Sequence, residues 1–295
     1  MPLRFEQHPG LVVYLTAGDT GVSPTGASAS PDLSLTREIA LAAIDAGADV
    51  IELGVPFSDP LADGPVIQRA SERAVARGTR LIDVLALAKE LREARPNAGL
   101  VIFSYLNPIL RFGLSKFADA AKAAGVDGVL LTDMIVEEAA EYIAEMERVD
   151  LAPIFLAAPT SPDERLEAIA RVSKGFIYAI SRTGITGKQQ NVASDASGLV
   201  GRIRNAQDRV MNWPKHLDGH WPKLPIAVGF GISNADHVAQ VGEFADAAVI
   251  GSAIVDLIER TSRDQGEEHA PEAVARFIKS LFTGGLRQPL VAQAL

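Results

Sequence analysis

The feature that most constrains the fold is a regular alternation of short apolar runs with helical segments along most of the chain. Apolar runs typical of buried strands occupy residues 11–17, 50–55, 100–105, 128–133, 152–157, 175–180, 225–230 and 247–250. A helical segment follows each run, and an Asn-Pro pair at 107–108 predicts a turn. Apolar strands that alternate with helices indicate a parallel sheet covered by helices. Eight such units in roughly 250 residues predict a closed (β/α)8 barrel, the α/β fold called the TIM barrel, with extra helices.

An open, doubly wound sheet is the alternative for the same alternation. Its dinucleotide-binding version is disfavoured because no G-x-G-x-x-G motif follows the first strand. The chain has 295 residues, of which 47% are hydrophobic, and this is enough for one large core. Barrels of this size commonly form one domain, so we expect residues 1–295 to form a single domain. Residues 261–295 would then be a C-terminal helix and tail.

Composition excludes several classes of function. The formal net charge is -9 and the isoelectric point is near 5.1, which argues against nucleic acid or an anionic membrane surface as a partner. The absence of cysteine excludes disulfides, thiolate metal sites and cysteine nucleophiles. The sequence has no apolar run of membrane-spanning length and no signal-peptide pattern, so we expect a cytoplasmic protein.

One pair of histidines raises the hypothesis of a metal site. His216 and His220 lie four residues apart, a spacing that would place both on one face of a helix. Pro214 and Pro222 flank the pair and argue against a helix there. We therefore expect no metal site and interpret this tryptophan-containing segment as a surface insertion.

The second predicted strand carries the strongest candidate for chemistry. Glu52 interrupts an otherwise apolar run, and a carboxylate inside a buried strand is costly unless it is paired or has a function. It lies in the C-terminal half of its strand, the end at which barrels carry their active sites. The proline-containing loop that follows adds Asp59 and Asp63, and the combination predicts an acid/base site. The alternatives are a structural carboxylate bound to an arginine or to backbone amides, and aspartates that only shape the turn.

Glycine-rich turns follow the last two predicted strands. Residues 229–233 have the sequence GFGIS, and Gly251 and Ser252 open the helix after the eighth strand. Backbone amides at such turns, with a helix N-terminus behind them, bind anions, and barrels often bind phosphate after strands seven and eight. These turns predict a phosphate site, and glycines that serve only the turns are the alternative.

The loop after the sixth strand, residues 181–188 with the sequence SRTGITGK, is a candidate lid. Gly187 and Lys188 resemble the end of a P-loop, but the glycine five residues earlier and the following serine or threonine are both missing. We therefore reject nucleotide binding here. The length, two glycines and polar content suit a mobile lid, and a passive surface loop is the alternative.

Residues 52–65, ELGVPFSDPLADGP, closely resemble the signature of the tryptophan synthase alpha chain family. Further blocks occur in the family's order at 105–109 (YLNPI), 178–187 (YAISRTGITG), 229–233 (GFGIS) and 251–255 (GSAIV), and the resemblance covers roughly residues 11–260. It implies a single-domain barrel that cleaves indole-3-glycerol phosphate into indole and glyceraldehyde 3-phosphate, with no cofactor in this chain. In the family, indole passes through a tunnel to a beta chain that depends on pyridoxal phosphate, in an α2β2 complex.

The resemblance also implies roles for individual residues. Glu52 matches the general acid/base, Asp63 the carboxylate that stabilises positive charge at the indole nitrogen, and Tyr178 a tyrosine near the acid. We expect the strand-end carboxyl to have a raised pKa and the loop carboxyl to stay ionised. Thr186 matches a lid residue that contacts Asp63 on closure. The other matches are the phosphate-binding residues Gly187, Gly231, Gly251 and Ser252 and the indole-pocket residues Tyr14, Phe103, Leu130, Leu156 and Phe230.

The chain departs from the family pattern away from the catalytic pair. Its N-terminal segment is short, so the helix that closes the barrel floor looks truncated, and residues 20–31 and about 204–223 look like insertions. Residues 132–135, TDMI, replace the usual PDLP in a loop near the partner surface. The leading hypothesis is an alpha chain that depends on a beta partner for full rate. The alternatives are a free-standing lyase that releases indole and a non-catalytic activator of a beta-type chain, and the intact site argues against the activator.

Overall fold

The centre of the protein is a parallel sheet, seen in a computed structural model that describes residues 3, 5–23, 31–180, 192–211, 223–229, 231–282 and 288–289. Nine strand segments form eight barrel strands, and each strand pairs in parallel with the next along the chain, as β8 does with β1. The strands are β1 (Gly10–Thr16), β2 (Val50–Gly54), β3 (Gly99–Ser104), β4 (Gly128–Leu131), β5 (Ala152–Ile154 and Leu156–Ala157), β6 (Ile177–Ile180), β7 (Ile226–Gly229) and β8 (Ala247–Ile250).

The barrel closes through β5, which is interrupted at Phe155. Its first part pairs with β4 and its second part pairs with β6. Backbone hydrogen bonds continue across the interruption, because the N–H of Lys174 donates to the carbonyl of Pro153 at 2.9 Å and the N–H of Tyr178 donates to the carbonyl of Phe155 at 3.1 Å. The predicted (β/α)8 barrel with extra helices is therefore confirmed.

A layer of helices covers the outside of the barrel. The helices are α1 (Ser34–Asp45), α2 (Pro65–Ala76), α3 (Leu81–Ala94), α4 (Leu106–Phe112), α5 (Leu114–Ala123), α6 (Ala140–Arg148), α7 (Asp163–Val172), α8 (Val192–Met211), α9 (Ala235–Gly242), α10 (Ser252–Gln265) and α11 (Ala270–Ser280). Short 3-10 helices at Val136–Glu138 and Glu267–His269 precede α6 and α11. The last helix, α11, packs against α1 and α10.

Alternate residues of the strands face either the helices or the barrel interior, as the period of two requires. In β2, Ile51 and Leu53 belong to the core between the sheet and the helices, whereas Val50 belongs to a separate apolar cluster inside the barrel. Glu52 has the same parity as Val50 and therefore points into the barrel.

The N-terminal segment fills the end of the barrel at which the strands begin. Leu3 and Phe5 are buried in the interior cluster and lie outside any helix. Three glycines leave room for Leu3: a Cβ would lie between 2.8 and 3.2 Å from its side chain at Gly99, Gly128 and Gly175. The apolar side chains of Leu3 and Phe5 thus close the floor where the sequence predicted a truncated helix.

The second predicted insertion overlaps a packed helix. Residues 204–211 form the last two turns of α8, in which Ala206 and Val210 are buried. Residues 212–222, including His216 and His220, lie outside the described residues, as do residues 24–30 of the other predicted insertion. Across the ranges that the structure describes, no helix has both the length and the apolar composition needed to cross a membrane.

Candidate active site

Glu52 lies inside the barrel with its carboxyl group completely buried. Its exposed fraction is 0%, and neither carboxyl oxygen has a hydrogen-bond partner among the described residues. Burial raises the pKa of Glu52 to about 8, so the protonated form predominates at neutral pH. The alternative of a structural carboxylate bound to an arginine or to backbone amides does not hold among these residues. Glu52 is thus a buried acid with a proton available for transfer.

The strand register explains which side chains surround Glu52. Its direct partners are Tyr14 on β1 and Val101 on β3. Residues in register on parallel strands share a face, so Tyr14 also points into the barrel. Gly54, two residues beyond Glu52, leaves room for the phenol, because a Cβ at position 54 would overlap the Tyr14 hydroxyl. A glycine in β2 therefore permits a tyrosine beside the buried acid.

Asp63 lies on the loop between β2 and α2, two residues before the helix begins at Pro65. The Tyr105 hydroxyl donates a hydrogen bond to Oδ2 of Asp63 at 3.0 Å and accepts one from the N–H of Ala62 at 2.9 Å. Burial raises the pKa of Asp63 to about 6, while the hydrogen bond from Tyr105 acts in the opposite direction. Asp63 is therefore mainly ionised at neutral pH, when Glu52 is mainly protonated.

This separation of the two pKa values gives the site both an acid and an anion at one pH. Pairs of titratable groups whose environments separate their pKa values are typical of acid/base sites. The third acidic residue of this region, Asp59, is exposed and accepts a hydrogen bond from the Ser58 hydroxyl at 2.6 Å. Its contacts are those of a residue that shapes the loop.

Tyr178 extends from β6 into the same interior. It packs against the apolar cluster that contains Val101 and Leu130. Gly229 on β7 provides its space, because a Cβ there would lie 2.6 Å from the Tyr178 hydroxyl oxygen. Burial first, and then the charge of Glu52, raise the pKa of Tyr178, so its hydroxyl stays protonated.

Tyr105 is a candidate functional residue to which the sequence analysis gave no role. Its hydrogen bond holds the Asp63 carboxylate, and burial and the charge of Asp63 raise the pKa of Tyr105, so it remains a donor. The available signal was its position: Tyr105 directly follows β3, at the end of the barrel where active sites lie.

Four of the five predicted indole-pocket residues are described, and the structure brings them together in the barrel interior. They are Tyr14, Phe103, Leu130 and Leu156. The rings of Tyr14 and Phe103 meet edge to face with their centroids 5.0 Å apart, a favourable aromatic arrangement. An apolar wall of this kind suits a flat aromatic ring. Phe230 lies outside the described residues.

The predicted phosphate residues Gly231, Gly251 and Ser252 follow β7 and β8. Gly231 has a φ of +42°, in the left-handed region that favours glycine. Gly251 directly precedes α10, and Ser252 is the first residue of that helix. The first N–H groups of a helix lack intrahelical partners, so the start of α10 can bind an anion. The predicted phosphate residue Gly187 and lid residue Thr186 lie outside the described residues.

In the part of the chain that the structure describes, no three histidine, aspartate or glutamate side chains are grouped so that they could hold a metal ion.

Comparisons with known proteins identify the family of the chain. The family model described as "Tryptophan synthase alpha chain" matches residues 2–281. A tryptophan synthase alpha chain from Solibacter usitatus is 45% identical over 280 residues, which cover 95% of each chain. The structure of tryptophan synthase subunit alpha from Legionella pneumophila is 32% identical, with a TM-score of 0.77 over 92% of this chain and 91% of that one.

A tryptophan synthase complex from Pyrococcus furiosus provides a second structural match. It is 33% identical to this chain, with a TM-score of 0.76, and the match covers 94% of this chain and 99% of that one. The chain therefore belongs to the tryptophan synthase alpha chain family, which confirms the predicted family and the predicted class of enzyme, a carbon–carbon lyase of tryptophan biosynthesis.

Proposed function

We propose that this chain cleaves indole-3-glycerol phosphate to indole and glyceraldehyde 3-phosphate by a retro-aldol reaction, with Glu52 and Asp63 as its catalytic pair. The observation that carries the proposal is the opposite protonation of the two groups: a buried Glu52 with a pKa of about 8 and an Asp63 with a pKa of about 6. Both groups belong to the end of the barrel at which TIM-barrel enzymes have their active sites.

Glu52 and Asp63 account for both proton transfers and for the charge that develops on the indole. Glu52 donates its proton to carbon 3 of the indole, and the resulting positive charge at the ring nitrogen is stabilised by the Asp63 carboxylate. The ionised Glu52 then takes the proton of the glycerol hydroxyl next to the ring, the carbon–carbon bond breaks, and its electron pair restores the aromatic indole. Glu52 ends protonated, and the aldehyde is glyceraldehyde 3-phosphate. Positioned acid/base groups contribute roughly 10²–10⁴-fold to such rates.

The remaining site residues divide between the two ends of the substrate. Tyr14, Phe103, Leu130 and Leu156 would contact the indole ring, joined by Phe230, and Tyr178 would lie near the acid. The substrate phosphate would bind to amides at Gly231, Gly251 and Ser252, with Gly187 completing the site. Thr186 stays a predicted lid residue. The geometry that supports this division is the position of Gly251, which follows β8 and lies beside Tyr14 on the neighbouring β1: a Cβ at 251 would lie 3.4 Å from that of Tyr14.

A beta chain is the proposed partner, in an α2β2 complex through which indole passes. The support is an exposed apolar surface at the active-site end of the barrel. Leu61, Leu110 and Ile135 are 93%, 55% and 44% exposed, and they follow three consecutive strands, β2, β3 and β4. Because these strands are neighbours, the segments that follow them lie at the same end of the barrel, and exposed apolar side chains there are typical of protein–protein contacts. The Pyrococcus furiosus relative is a tryptophan synthase complex by its own description.

We infer one domain over residues 1–295, with residues 20–31 and about 204–223 as insertions and residues 261–295 as a terminal helix and tail. The absence of a cofactor in this chain, pyridoxal phosphate in the beta partner, and a cytoplasmic location stay predictions.

The decisive experiment measures indole release from indole-3-glycerol phosphate by the purified chain, alone and with a beta chain from the same source. The matched control is Glu52→Gln, which keeps the shape of the protonated carboxyl but has no transferable acid proton. Slow release that the partner accelerates strongly supports a coupled synthase subunit. Fast release that is indifferent to the partner supports a free-standing lyase instead. No release under either condition, together with activation of the beta chain, would favour the non-catalytic activator.

A further inference from the structure

Tyr14 differs from the other described residues of the predicted indole pocket because it carries a hydroxyl group. Phe103, Leu130 and Leu156 have no polar side-chain atom, whereas the phenol of Tyr14 reaches along the barrel towards Gly54. The Tyr14 ring is buried in a small apolar cluster with Ala70 of α2 and Val255 of α10, joined by Val66, Ile67 and Phe103. Packing explains the ring, but a phenylalanine would pack equally well there. The hydroxyl requires a separate explanation.

The Tyr14 hydroxyl has an uncommitted proton. Its oxygen accepts a hydrogen bond from Oγ1 of Thr16 at 3.3 Å, and within the described ranges no acceptor binds its own proton. The titratable groups around it are Glu52 and Asp63 on β2 and the loop that follows, and Tyr105 and Tyr178 beyond them. Burial first, and then the charges of Asp63 and Glu52, raise the pKa of Tyr14. The group is therefore a neutral hydrogen-bond donor throughout the physiological range.

Glu52 needs a hydrogen-bond donor only when it is ionised, and not when it is protonated. As a neutral acid it carries no charge to compensate, and neither of its oxygens has a hydrogen-bond partner among the described residues. When it gives up its proton, the same position holds a buried carboxylate, which is costly unless hydrogen bonds compensate. Tyr14 is in direct register with Glu52, and the charge of Glu52 acts on the hydroxyls of both Tyr14 and Tyr178.

We propose that Tyr14 is a positioning residue whose hydroxyl donates a hydrogen bond to the Glu52 carboxylate while Glu52 is without its proton. The inference rests on the acid/base role proposed above for Glu52. The Tyr14 proton is shared and never transferred: Glu52 gives its proton to the substrate carbon and recovers one from the substrate hydroxyl, and Tyr14 ends the cycle unchanged. Thr16, by donating to the same oxygen, polarises the Tyr14 hydroxyl and makes it a better donor.

The test compares the pKa of Glu52 in the wild-type chain and in Tyr14→Phe, without substrate. Carbon NMR of protein labelled at the glutamate carboxyl carbon reports each carboxyl, and the Glu52 signal is the one missing from Glu52→Gln. Loss of a donor to the charged form raises a pKa, so we expect the Glu52 value to rise by about one unit in Tyr14→Phe. A Glu52 pKa that is unchanged or lower in this variant would overturn the proposal.

A second variant and a control separate this role from packing. Thr16→Val keeps a β-branched side chain but removes the donor to Tyr14, and we expect a smaller rise in the Glu52 pKa; this variant decides the question if Tyr14→Phe does not fold. Tyr142→Phe is the control, since Tyr142 is equally buried but donates to the carbonyl of Val129 at 2.8 Å, outside the barrel interior. It should leave the Glu52 pKa unchanged. An equal shift in Tyr142→Phe would contradict a specific role for Tyr14.

Turnover provides an independent readout. With indole-3-glycerol phosphate, Tyr14→Phe should lower kcat about tenfold, because a buried ion loses one hydrogen bond, and should change KM less than about twofold. The pH at which kcat/KM changes with the ionisation of Glu52 in the free chain should rise in step with the NMR value. If the wild-type chain failed to cleave the substrate, the proposed function would fall, but the substrate-free titration would still decide whether Tyr14 stabilises the Glu52 carboxylate.

Discussion

The two ends of the barrel interior use glycine in the same way but for different purposes. At the floor, glycines near the strand starts make room for apolar side chains: a Cβ at Gly10 would overlap the ring of Phe5, and Gly99 makes room for Leu3. At the active-site end, Gly54 and Gly229 make room for the hydroxyl ends of tyrosines. Glycines thus allow apolar side chains to close the floor and allow tyrosine hydroxyls to occupy the opposite end.

The difference between these ends separates what stabilises the protein from what reacts. The floor is apolar and closely packed, so its contribution to stability comes from burial of hydrocarbon. The active-site end holds Glu52, a buried carboxyl that has no hydrogen-bond partner among the described residues and lowers stability whenever it is ionised. A substitution should therefore change mainly folding at the first end and mainly turnover at the second.

Glu52→Gln should have the largest effect on activity. Loss of a buried acid positioned for proton transfer is expected to lower kcat about a thousandfold, within the range for general acid/base catalysis. Binding of glycerol 3-phosphate, a phosphate ligand without an indole ring, should change less than about twofold, because the phosphate turns are intact. Single-turnover indole release and calorimetric titration measure the two quantities. A variant that keeps a large part of the rate would refute the acid/base role.

Phe5→Ala should have a large effect on stability and almost none on chemistry. Truncation of a buried phenylalanine leaves a cavity and typically costs about 3–5 kcal/mol of the free energy of unfolding. Phe5 also meets the ring of Phe176 with centroids 5.9 Å apart, a contact that the variant loses. Urea unfolding measures the loss. The kcat of the folded fraction should stay within about twofold of the wild type, and a kcat that fell with stability would show that the two ends are not independent.

Glu52→Gln should also change how stability depends on pH. The pKa of Glu52 is about 8 in the folded chain, above its ordinary value of 4.5, so between these values the folded state holds a proton that the unfolded state has lost. Wild-type stability relative to Glu52→Gln should therefore fall as the pH rises through this window, by up to about 1.4 kcal/mol per unit, and then level off above pH 8. Urea unfolding of both proteins across the window checks this. Parallel curves would mean that Glu52 has an ordinary pKa.

The sequence was sufficient for the fold because the apolar runs and helical segments are local signals. The strand at 247–250 lies where the pattern predicts it, and the helix at 163–172 follows the apolar run at 152–157, as the alternation predicts. The predicted turn at Asn107 and Pro108 was wrong, since both residues belong to the first turn of α4. A proline is compatible with that turn because the first N–H groups of a helix have no intrahelical acceptor.

The features that the sequence did not reveal depend on residues far apart in the chain. Leu3 fills the floor only because glycines on other strands, such as Gly99 and Gly128, leave space for it. Tyr105 reaches Asp63 across 42 residues, and no local pattern records that hydrogen bond. Glu52, in contrast, was visible because one charged residue interrupted an apolar run. Local patterns therefore predicted the position of the acid but not the groups that set the protonation state of Asp63.

Tyr105→Phe should have the smallest effect and the most specific one. The variant keeps the ring, which packs against Phe57 with centroids 5.2 Å apart, and removes the hydroxyl that donates to Asp63. Since that hydrogen bond lowers the pKa of Asp63, its loss should raise the value above about 6. We expect kcat/KM near neutral pH to fall about tenfold, the usual scale for one hydrogen bond to a charged group, and to recover partly as the pH rises and Asp63 ionises again. Stability should change little compared with Phe5→Ala. A uniform loss of kcat/KM at every pH would instead mean that Tyr105 supports the loop and does not tune the pKa of Asp63. A hydroxyl at the active-site end would then serve structure, and the division between a stabilising floor and a reacting end would be incomplete.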